Sequence, residues 1–591
     1  MTAAPSSSLP RLDRSRPFVL LDDATGAGAG PARLYRDPAE VVTASTRAGL
    51  AEALATLRTA QARGLHAAGW IAYDAGAPGE ASTATEGEGP LLWFGLFERY
   101  ETIPAADVPS LFPDPAGAWA GAPVPRIAFA AYAEAFSRVE AYIAAGDIYQ
   151  ANLTFQADVA TAGDPLALYA RIRGRAAAGW GGIVHDGQRT LLSFSPEMFF
   201  RLDGRRIEAR PMKGTATRGA DPLADAEAVR TLASDEKQRA ENLMIVDLIR
   251  NDLSRIAVPG SVAVPALFTV ETYPTIHQMT STVTAELAPG GDAVGVLEAA
   301  FPCGSITGAP KLRAMEIAAE VEAGPRGAYT GAIGRIDADG GAVFNVAIRT
   351  LTIGDAGRAA IGLGSGIVAD SDVGAEWREC LAKGGFIGAA CPPFDLIETM
   401  LFDPLEGVME LERHLLRLKR SARALGFAFN RHDVRNELQA ATFRLRDPAR
   451  VRLRISRAGR VAIEVRPLPA PPTEPVVAPV VPLPVDPGDF RLVHKTSDRA
   501  FYDAARGSHF EVVFVRPDGR LTEGSFTNLF VRGADGRLRT PPRHRGLLPG
   551  ILRERLIAQG QAVESDIVEA DLRDGFLLGN ALRGLIRARL P

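Results

Sequence analysis

Nine of the 24 residues from Pro467 to Phe490 are proline. Proline lacks a backbone N–H and clashes with the preceding helical turn, so this stretch cannot lie inside an ordinary helix. It predicts a break that joins two lobes, about 394–468 and 490–591. A second discontinuity, GAACPPFD at 388–395, predicts a linker over 389–393, after which a strand-like DLIETMLFDP and a helical LERHLLRLKRSARAL begin afresh. With 591 residues, and about 150 per domain as a guide, several structural units are expected. The expected layout is a flexible tail over 1–16, a large domain over 17–388 and a second domain over 394–591.

Composition excludes several function classes. Charged residues make up 23% with a net charge of −4, interspersed along the chain, so no one-sided basic field for nucleic acid or membrane lipid is expected. The three cysteines, Cys303, Cys380 and Cys391, form no CxxC pair and fall short of a disulfide framework, which points to a reducing, cytoplasmic setting. No run of about 18 apolar residues predicts a membrane span. GAPGEASTATEGEGP at 76–90 reads as a mobile loop.

In the large domain, 47–63 and 235–256 read as helices, the second with Leu243, Val246 and Ile249 at helical spacing. Glu376 and Glu379 lie three apart in GAEWREC, on one face of a helix over 375–383, with Lys383 a turn further on. Glu241 is a helical carboxylate upstream. Hard oxygen donors without His or Cys suit Mg²⁺, which keeps positions open for water and substrate oxygens; taken alone, such glutamates equally form a solvated face. The glycine turns FPCGSITGAPK and GLGSGIVADSD permit close backbone approach to an anion, or serve simply as tight turns.

RPMKGTATRG, RAENLMIVDLIRNDL, TYPTIHQMTSTV, FPCGSITGAPKLRAME, AYTGAIG, NVAIRT and GSGIVADSD…EWREC occur in that order. Together, over about 130–388, they resemble the chorismate-utilising enzymes, the family of anthranilate synthase and aminodeoxychorismate synthase component I. The resemblance implies a layered α/β (α+β) domain with its site in a cleft between sheets. It implies Glu241 and Glu379 as Mg²⁺ ligands with Glu376 as a neighbouring or water-mediated partner. Chorismate would be contacted by Tyr329, Arg349, Lys383 and the backbone around Gly364 and Gly366, and His277 would assist departure of the ring hydroxyl. Lys213 stands where anthranilate synthases resemble one another in carrying alanine; an amine there implies a nucleophile on ring C2 and the para-directed amination. A neutral amine is required, which burial near other cations supplies. No glutaminase signature is evident, so a separate glutamine amidotransferase subunit is the implied source of ammonia.

In the second half, Lys495 ends an apolar run, TEGSFTNLFV places a carboxylate, hydroxyls and an amide on a strand–turn–strand, and GLLPGILRERL is a Pro-Gly turn entering a helix with free N–H groups for a phosphate. HxxRL, this lysine, EGSxxNxF, LPGILR and NALRG, in sequence over about 394–588, resemble the class IV aminotransferases, pyridoxal-phosphate enzymes of fold type IV. The resemblance implies Lys495 joined to pyridoxal 5'-phosphate through its amine and Glu523 facing the pyridine nitrogen. It implies Arg417, the N–H groups of Ile551 and Leu552, and Asn580 at the phosphate, with Thr527 and Asn528 at the cofactor's edge. That family includes branched-chain and D-amino-acid transaminases as well as aminodeoxychorismate lyase, and the motifs barely separate them. The shared intermediate favours the lyase: chorismate aminated to 4-amino-4-deoxychorismate by the first half, then pyruvate eliminated by the second to give p-aminobenzoate. A homodimer through the second domain is a further expectation. The alternatives are a true transaminase in the second half, anthranilate synthase activity in the first, and a non-catalytic scaffold.

Overall fold

A computed structural model of the chain describes residues 11–26, 28–76, 89–273, 276–354 and 358–591. The expected tail over 1–16 and loop over 76–90 fall largely outside these. The chain divides into two compact units, and the second takes in residues 113–121 and 160–168 together with 391–591.

The first unit is built on two large sheets. One follows the order Gly308–Ala309, Gln150–Ala162, Arg358–Ile367, Thr350–Ile353, Thr190–Ser193, Gly181–His185, Phe18–Asp22, Ala32–Arg36 and Glu101–Ile103. The other follows Met212–Thr217, Ile276–Glu286, Arg206–Arg210, Met198–Asp203, Ala342–Val346, Ala332–Ile336, His66–Ile71, Leu92–Phe97 and Glu40–Ala44. Val19, Tyr35, Val184 and Leu191 of the first sheet pack with Trp70, Trp93 and Ile333 of the second in one core cluster. The sheets therefore face one another. Helices Arg47–Ala62, Glu236–Ser254 and Ala293–Ala300 cover the outer face of the second sheet, where Leu57, Ile249 and Leu297 meet Phe94, Phe200 and Phe344. Each large apolar side chain so buried contributes about 1.5–3 kcal/mol. On the first sheet, Phe155 stacks on Trp377 of helix Val373–Ala389, beside Tyr132 of helix Phe129–Ala144.

The helix expected over 235–256 spans Glu236–Ser254, but its buried stripe differs from the expected one. Val246 and Ile249 are buried, whereas Leu243 is exposed. The stripe instead runs Asn242, Ile245, Val246, Ile249 and Leu253, because Asn242 points inward to accept a hydrogen bond from Ser281 Oγ at 2.6 Å.

The second unit has a four-stranded sheet, Gly407–Val408, Leu396–Asp403, Ala449–Ile455 and Val461–Pro467, covered by helices Leu411–Ala424 and Arg431–Thr442. Its other large sheet has six strands, with Asn528–Arg532, Phe576–Asn580 and Gly584–Arg589 at its centre. The proline-rich stretch is more than a connector. Val476–Val477 pairs in parallel with Gly584–Arg589, and Val480–Pro482 with Val513–Val515. Such short edge pairings tolerate proline because few of its missing N–H groups would have bonded.

Candidate active sites

Two capped helices aim the first unit's acidic residues. Asp235 accepts from Gln238 N at 2.9 Å and Asp372 from Ala375 N at 2.8 Å, so each helix starts at a fixed point. The first carries Glu241; the second carries Glu376, Glu379 and Lys383. Lys213 lies on the strand Met212–Thr217, whose register with its neighbour shifts between Met212 and Thr215. Gly214, at φ +92°, makes this bulge, a conformation that side-chain-bearing residues rarely adopt. Asn242 Nδ2 donates to the Lys213 carbonyl at 3.4 Å and holds the bulge from behind.

The Lys213 amine lies against Gly366. A methyl group there would sit 3.0 Å from Lys213 Nζ and 2.6 Å from Gln150 Nε2, so the close approach needs glycine. Lys383 Nζ donates to the Gly364 carbonyl at 3.0 Å and pairs with Glu379 at 2.8 Å. Burial lowers the Lys213 pKa and Lys383 adds to this, against the opposing pull of Glu241, Glu197 and Glu379. Burial likewise raises Glu241, with Lys213 and Lys237 opposing. For Glu379 burial acts upward, yet Lys383 and Lys213 outweigh it and hold the carboxyl below its ordinary value.

The remaining carried-over residues differ in placement. Arg349, its pKa lowered by burial, lines a small cavity with Met212 and Gln278 and pairs with no carboxylate among the described residues. Tyr329 is buried, and burial holds its phenol neutral. His277 has both ring nitrogens engaged, Nε2 with Asp225 at 2.9 Å and Nδ1 with Thr272 at 3.0 Å. FPCGSITGAPK packs rather than opens: Lys311 Nζ pairs with Asp252 at 3.0 Å and donates to the Ala300 carbonyl at 2.7 Å.

Glu197 was not among the sequence candidates. It is buried, its Oε1 has no hydrogen-bond partner, and burial pushes its pKa up to about 7, with Ser305 and Lys213 opposing. A carboxylate inside the apolar run FSPEMFF was the available signal. Gln150 Oε1 is likewise buried without a partner.

Among the described residues no three His, Cys, Asp or Glu side chains are gathered closely enough to hold a metal by themselves. Glu241, Glu376 and Glu379 offer only oxygen donors, Glu376 accepts from Ser371 Oγ at 2.8 Å, and Glu241 feels the Glu376 charge. That donor set fits a cation bound through one or two carboxylates with substrate and water completing it. A separate cavity of about 660 Å³, lined by Asp22, Arg33, Trp180, Arg201, Arg335 and neighbours, contains none of the candidate residues.

In the second unit a cavity of about 600 Å³ is lined by Lys495, Arg417, Glu523, Thr527, Asn528, Ile551 and Asn580. Lys495 lies between the short helices Phe490–Val493 and Ala500–Arg506, its carbonyl accepting from Ile397 N at 2.9 Å. Burial, then Arg417, Arg499 and Arg452, push the amine's pKa down to about 7 against the pull of Glu398. Glu523, buried and pushed up to about 8, accepts from Tyr502 Oη at 2.8 Å, Leu548 N at 3.1 Å and Asn528 Nδ2 at 3.2 Å. Arg417 is fixed by Glu398, through Nε at 2.8 Å and Nη2 at 2.5 Å, and by the Pro549 carbonyl at 3.0 Å. Glu398 also takes His414 Nδ1 at 2.7 Å. Helix Ile551–Ala558 starts at Gly550, where a methyl group would come within 1.7 Å of Asn528 Oδ1. Thr527 Oγ1 donates to the buried Glu511, which also accepts from Ser525 N, Ser525 Oγ and Phe526 N and so shapes this turn. Asn580 Nδ2 donates to the Phe526 carbonyl at 3.2 Å. A depressed lysine, a buried carboxyl, a fixed arginine and a free helix N-terminus around one cavity fit pyridoxal phosphate.

The chain belongs to the chorismate binding enzymes, whose family profile matches residues 16–388. Residues 395–590 match the profile of the class IV amino-transferases. The first half is 45% identical to aminodeoxychorismate synthase component 1 of Salmonella typhimurium over 254 residues, which is 43% of this chain and 55% of that protein. It is 42% identical to anthranilate synthase component 1 of Streptomyces coelicolor over 257 residues, 43% of this chain and 50% of that protein. The chain thus spans about half the length of these relatives. In fold it matches the crystal structure of anthranilate synthase component I from Streptococcus pneumoniae, with a TM-score of 0.52 and 23% identity over 66% of this chain and 95% of that one. No helix of the described residues is long and apolar enough to cross a membrane.

Proposed function

We propose that the chain makes p-aminobenzoate from chorismate in two steps, one in each unit. The observation that carries the reading is the presence of two half-buried lysines whose pKa values desolvation lowers, one beside an acidic, glycine-lined site and one in a cofactor-sized cavity. The two family memberships connect through a single intermediate, 4-amino-4-deoxychorismate.

In the first unit, Glu241 and Glu379, with Glu376 beside them, would hold Mg²⁺, which would neutralise and orient the ring carboxylate of chorismate. Arg349 and Lys383 meet the substrate's anionic groups, and Tyr329 lines the ring. The Lys213 amine, in its neutral form, bonds to ring C2, C1=C2 shifts to C1=C6 and C5=C6 to C4=C5, and the C4–O bond breaks. Glu197, protonated near neutrality and with a free oxygen, gives the departing hydroxyl its proton, so that water leaves. His277 has both ring nitrogens held, by Asp225 and Thr272, and would assist that departure only once one of them is released. Ammonia then bonds to C4, both double bonds shift back, and the C2–N bond breaks to release Lys213, whose amine takes up the proton that the new C4 ammonium loses. A separate glutamine amidotransferase, or free ammonium, supplies the ammonia; the Cys303 thiol, pushed up to about 12 by burial, is unsuited to a glutaminase role.

In the second unit, Lys495 would carry pyridoxal phosphate, Glu523 would face its ring nitrogen, and Arg417, the N–H groups of Ile551 and Leu552, and Asn580 would hold its phosphate, with Thr527 and Asn528 alongside. When bound, the cofactor supplies an electron sink for the carbon that bears the substrate amine. The Lys495 amine, at about 7, would be neutral enough to take the C4 proton. As the C3–O bond breaks, that proton passes to the departing oxygen, pyruvate leaves as its enol, and the ring becomes aromatic.

The test is incubation of the pure chain with pyridoxal phosphate, chorismate, Mg²⁺ and ammonium, followed by identification of the products. Para-aminobenzoate with one equivalent of pyruvate supports the reading. Ortho-aminobenzoate would assign anthranilate synthase activity instead, and aminodeoxychorismate without pyruvate would make the second half a transaminase.

A further inference from the structure

The cavity of the second unit carries more positive charge than a cofactor phosphate uses. Its lining includes Arg417, Arg450, Arg452, Lys495, Arg499 and Arg583, against only Asp503 and Glu523 as carboxylates. Most of these cations are committed. Arg417 is held by Glu398 and the Pro549 carbonyl, Arg499 donates to the Ser525 carbonyl at 2.6 Å, and Arg583 donates to the Ala470 carbonyl at 3.2 Å.

Arg450 and Arg452 differ. They are alternate residues of the strand Ala449–Ile455, opposite Leu401 and Thr399 of the neighbouring strand, so they share a face. Thr399 lines the same cavity. Arg450 has only Glu464 at 3.8 Å, and Arg452 has no hydrogen-bond or ion-pair partner among the described residues, with its Nε buried. A buried guanidinium donor without an acceptor is destabilising unless a ligand completes it.

Building on the lyase reading above, we propose that Arg450 and Arg452 bind a substrate carboxylate remote from the reacting amine, and so select an amine carrying two carboxylates. The strand pair holds this anion apart from the phosphate, which belongs to Arg417 and the helix starting at Ile551. A branched-chain amino acid would place an apolar side chain against the two guanidinium groups and leave their donors unmet.

The test uses the full-length, cofactor-loaded chain and its Arg452→Gln, Arg450→Gln and Arg452→Lys variants. Two readouts are taken: steady-state pyruvate release from 4-amino-4-deoxychorismate, and displacement of the cofactor's absorbance by isophthalate or benzoate. Arg452→Gln is expected to raise KM at least about tenfold with kcat changed by less than about threefold and with the cofactor absorbance kept. Arg450→Gln should act in the same direction more weakly, and Arg452→Lys should recover part of the loss. Isophthalate should lose affinity in the Gln variants while benzoate does not. Unchanged KM and unchanged isophthalate affinity in both Gln variants would overturn the proposal, as would loss of the cofactor absorbance in Arg452→Lys, which marks a structural role. A wild-type chain that releases no pyruvate would overturn the lyase reading alone; the isophthalate and benzoate arms would still decide this one.

Discussion

The two lysine sites reach a depressed amine by opposite surroundings. Lys495 is half-buried beside permanent cations, Arg417, Arg499 and Arg452, with Glu398 opposing, and its pKa falls to about 7. Lys213 is half-buried beside carboxylates, Glu241, Glu197 and Glu379, with Lys383 as the countervailing cation. The first arrangement suits a lysine that waits for an anionic cofactor. The second holds an amine whose neutral form depends on what neutralises its glutamates. We expect a divalent cation at Glu241 and Glu379 to lower the Lys213 pKa further, because it cancels the charges that now hold the proton on.

The widest separation of the two sites comes from removing one amine. Lys213→Ala should lower amination of chorismate by at least about three orders of magnitude, measured by liquid chromatography of aminodeoxychorismate formed with ammonium. Glu523→Ala should lower pyruvate release from supplied aminodeoxychorismate by about two orders of magnitude while amination is unaffected, read by a coupled pyruvate assay. Smaller effects come from added methyl groups. Gly366→Ala, crowding Lys213 Nζ and Gln150 Nε2, should slow amination by about tenfold, because small misplacements of a nucleophile are costly. Gly550→Ala, displacing Asn528, should weaken cofactor retention on dialysis and leave amination intact.

The smallest effect is on stability. In the cofactor-free chain Glu523, raised from 4.5 to about 8, should make stability fall as pH rises through that window. Lys495, lowered from 10.5 to about 7, should make stability rise from about pH 7 to 10.5, since the unfolded chain then binds the extra proton. Urea unfolding against pH should lose the first slope in Glu523→Gln and the second in Lys495→Met. Ile249→Ala, in the first unit's core, should cost about 2–5 kcal/mol by the same measurement and carry neither slope.

Local pattern made part of this legible. Period placed the helices at 47–62 and 236–254, whereas the one expected over 375–383 runs from 373 to 389; the Thr and Asp caps that open all three are seen in the structure. Ordered motifs carried both families. What pattern could not show depends on contacts distant in sequence. Trp119 lies far upstream of 391, yet packs edge-on to Phe394 and under Arg457 in the second unit's core. Glu511 organises the EGSFTN turn from a dozen or so residues away, and Glu398 orients Arg417 across a strand and a helix. Helical period puts Leu243 in the apolar stripe, yet Leu243 is exposed and Asn242 is the buried residue, bonded to Ser281 and to the Lys213 carbonyl.

We assign one step to each unit's own amine. The decisive measurement supplies 4-amino-4-deoxychorismate to Lys213→Ala and chorismate with ammonium and Mg²⁺ to Lys495→Ala, and then mixes the two variants. Pyruvate release at the wild-type rate is expected from the first, accumulated aminodeoxychorismate from the second, and p-aminobenzoate from chorismate only in the mixture. Loss of both activities in each variant, with both proteins folded, would contradict that assignment.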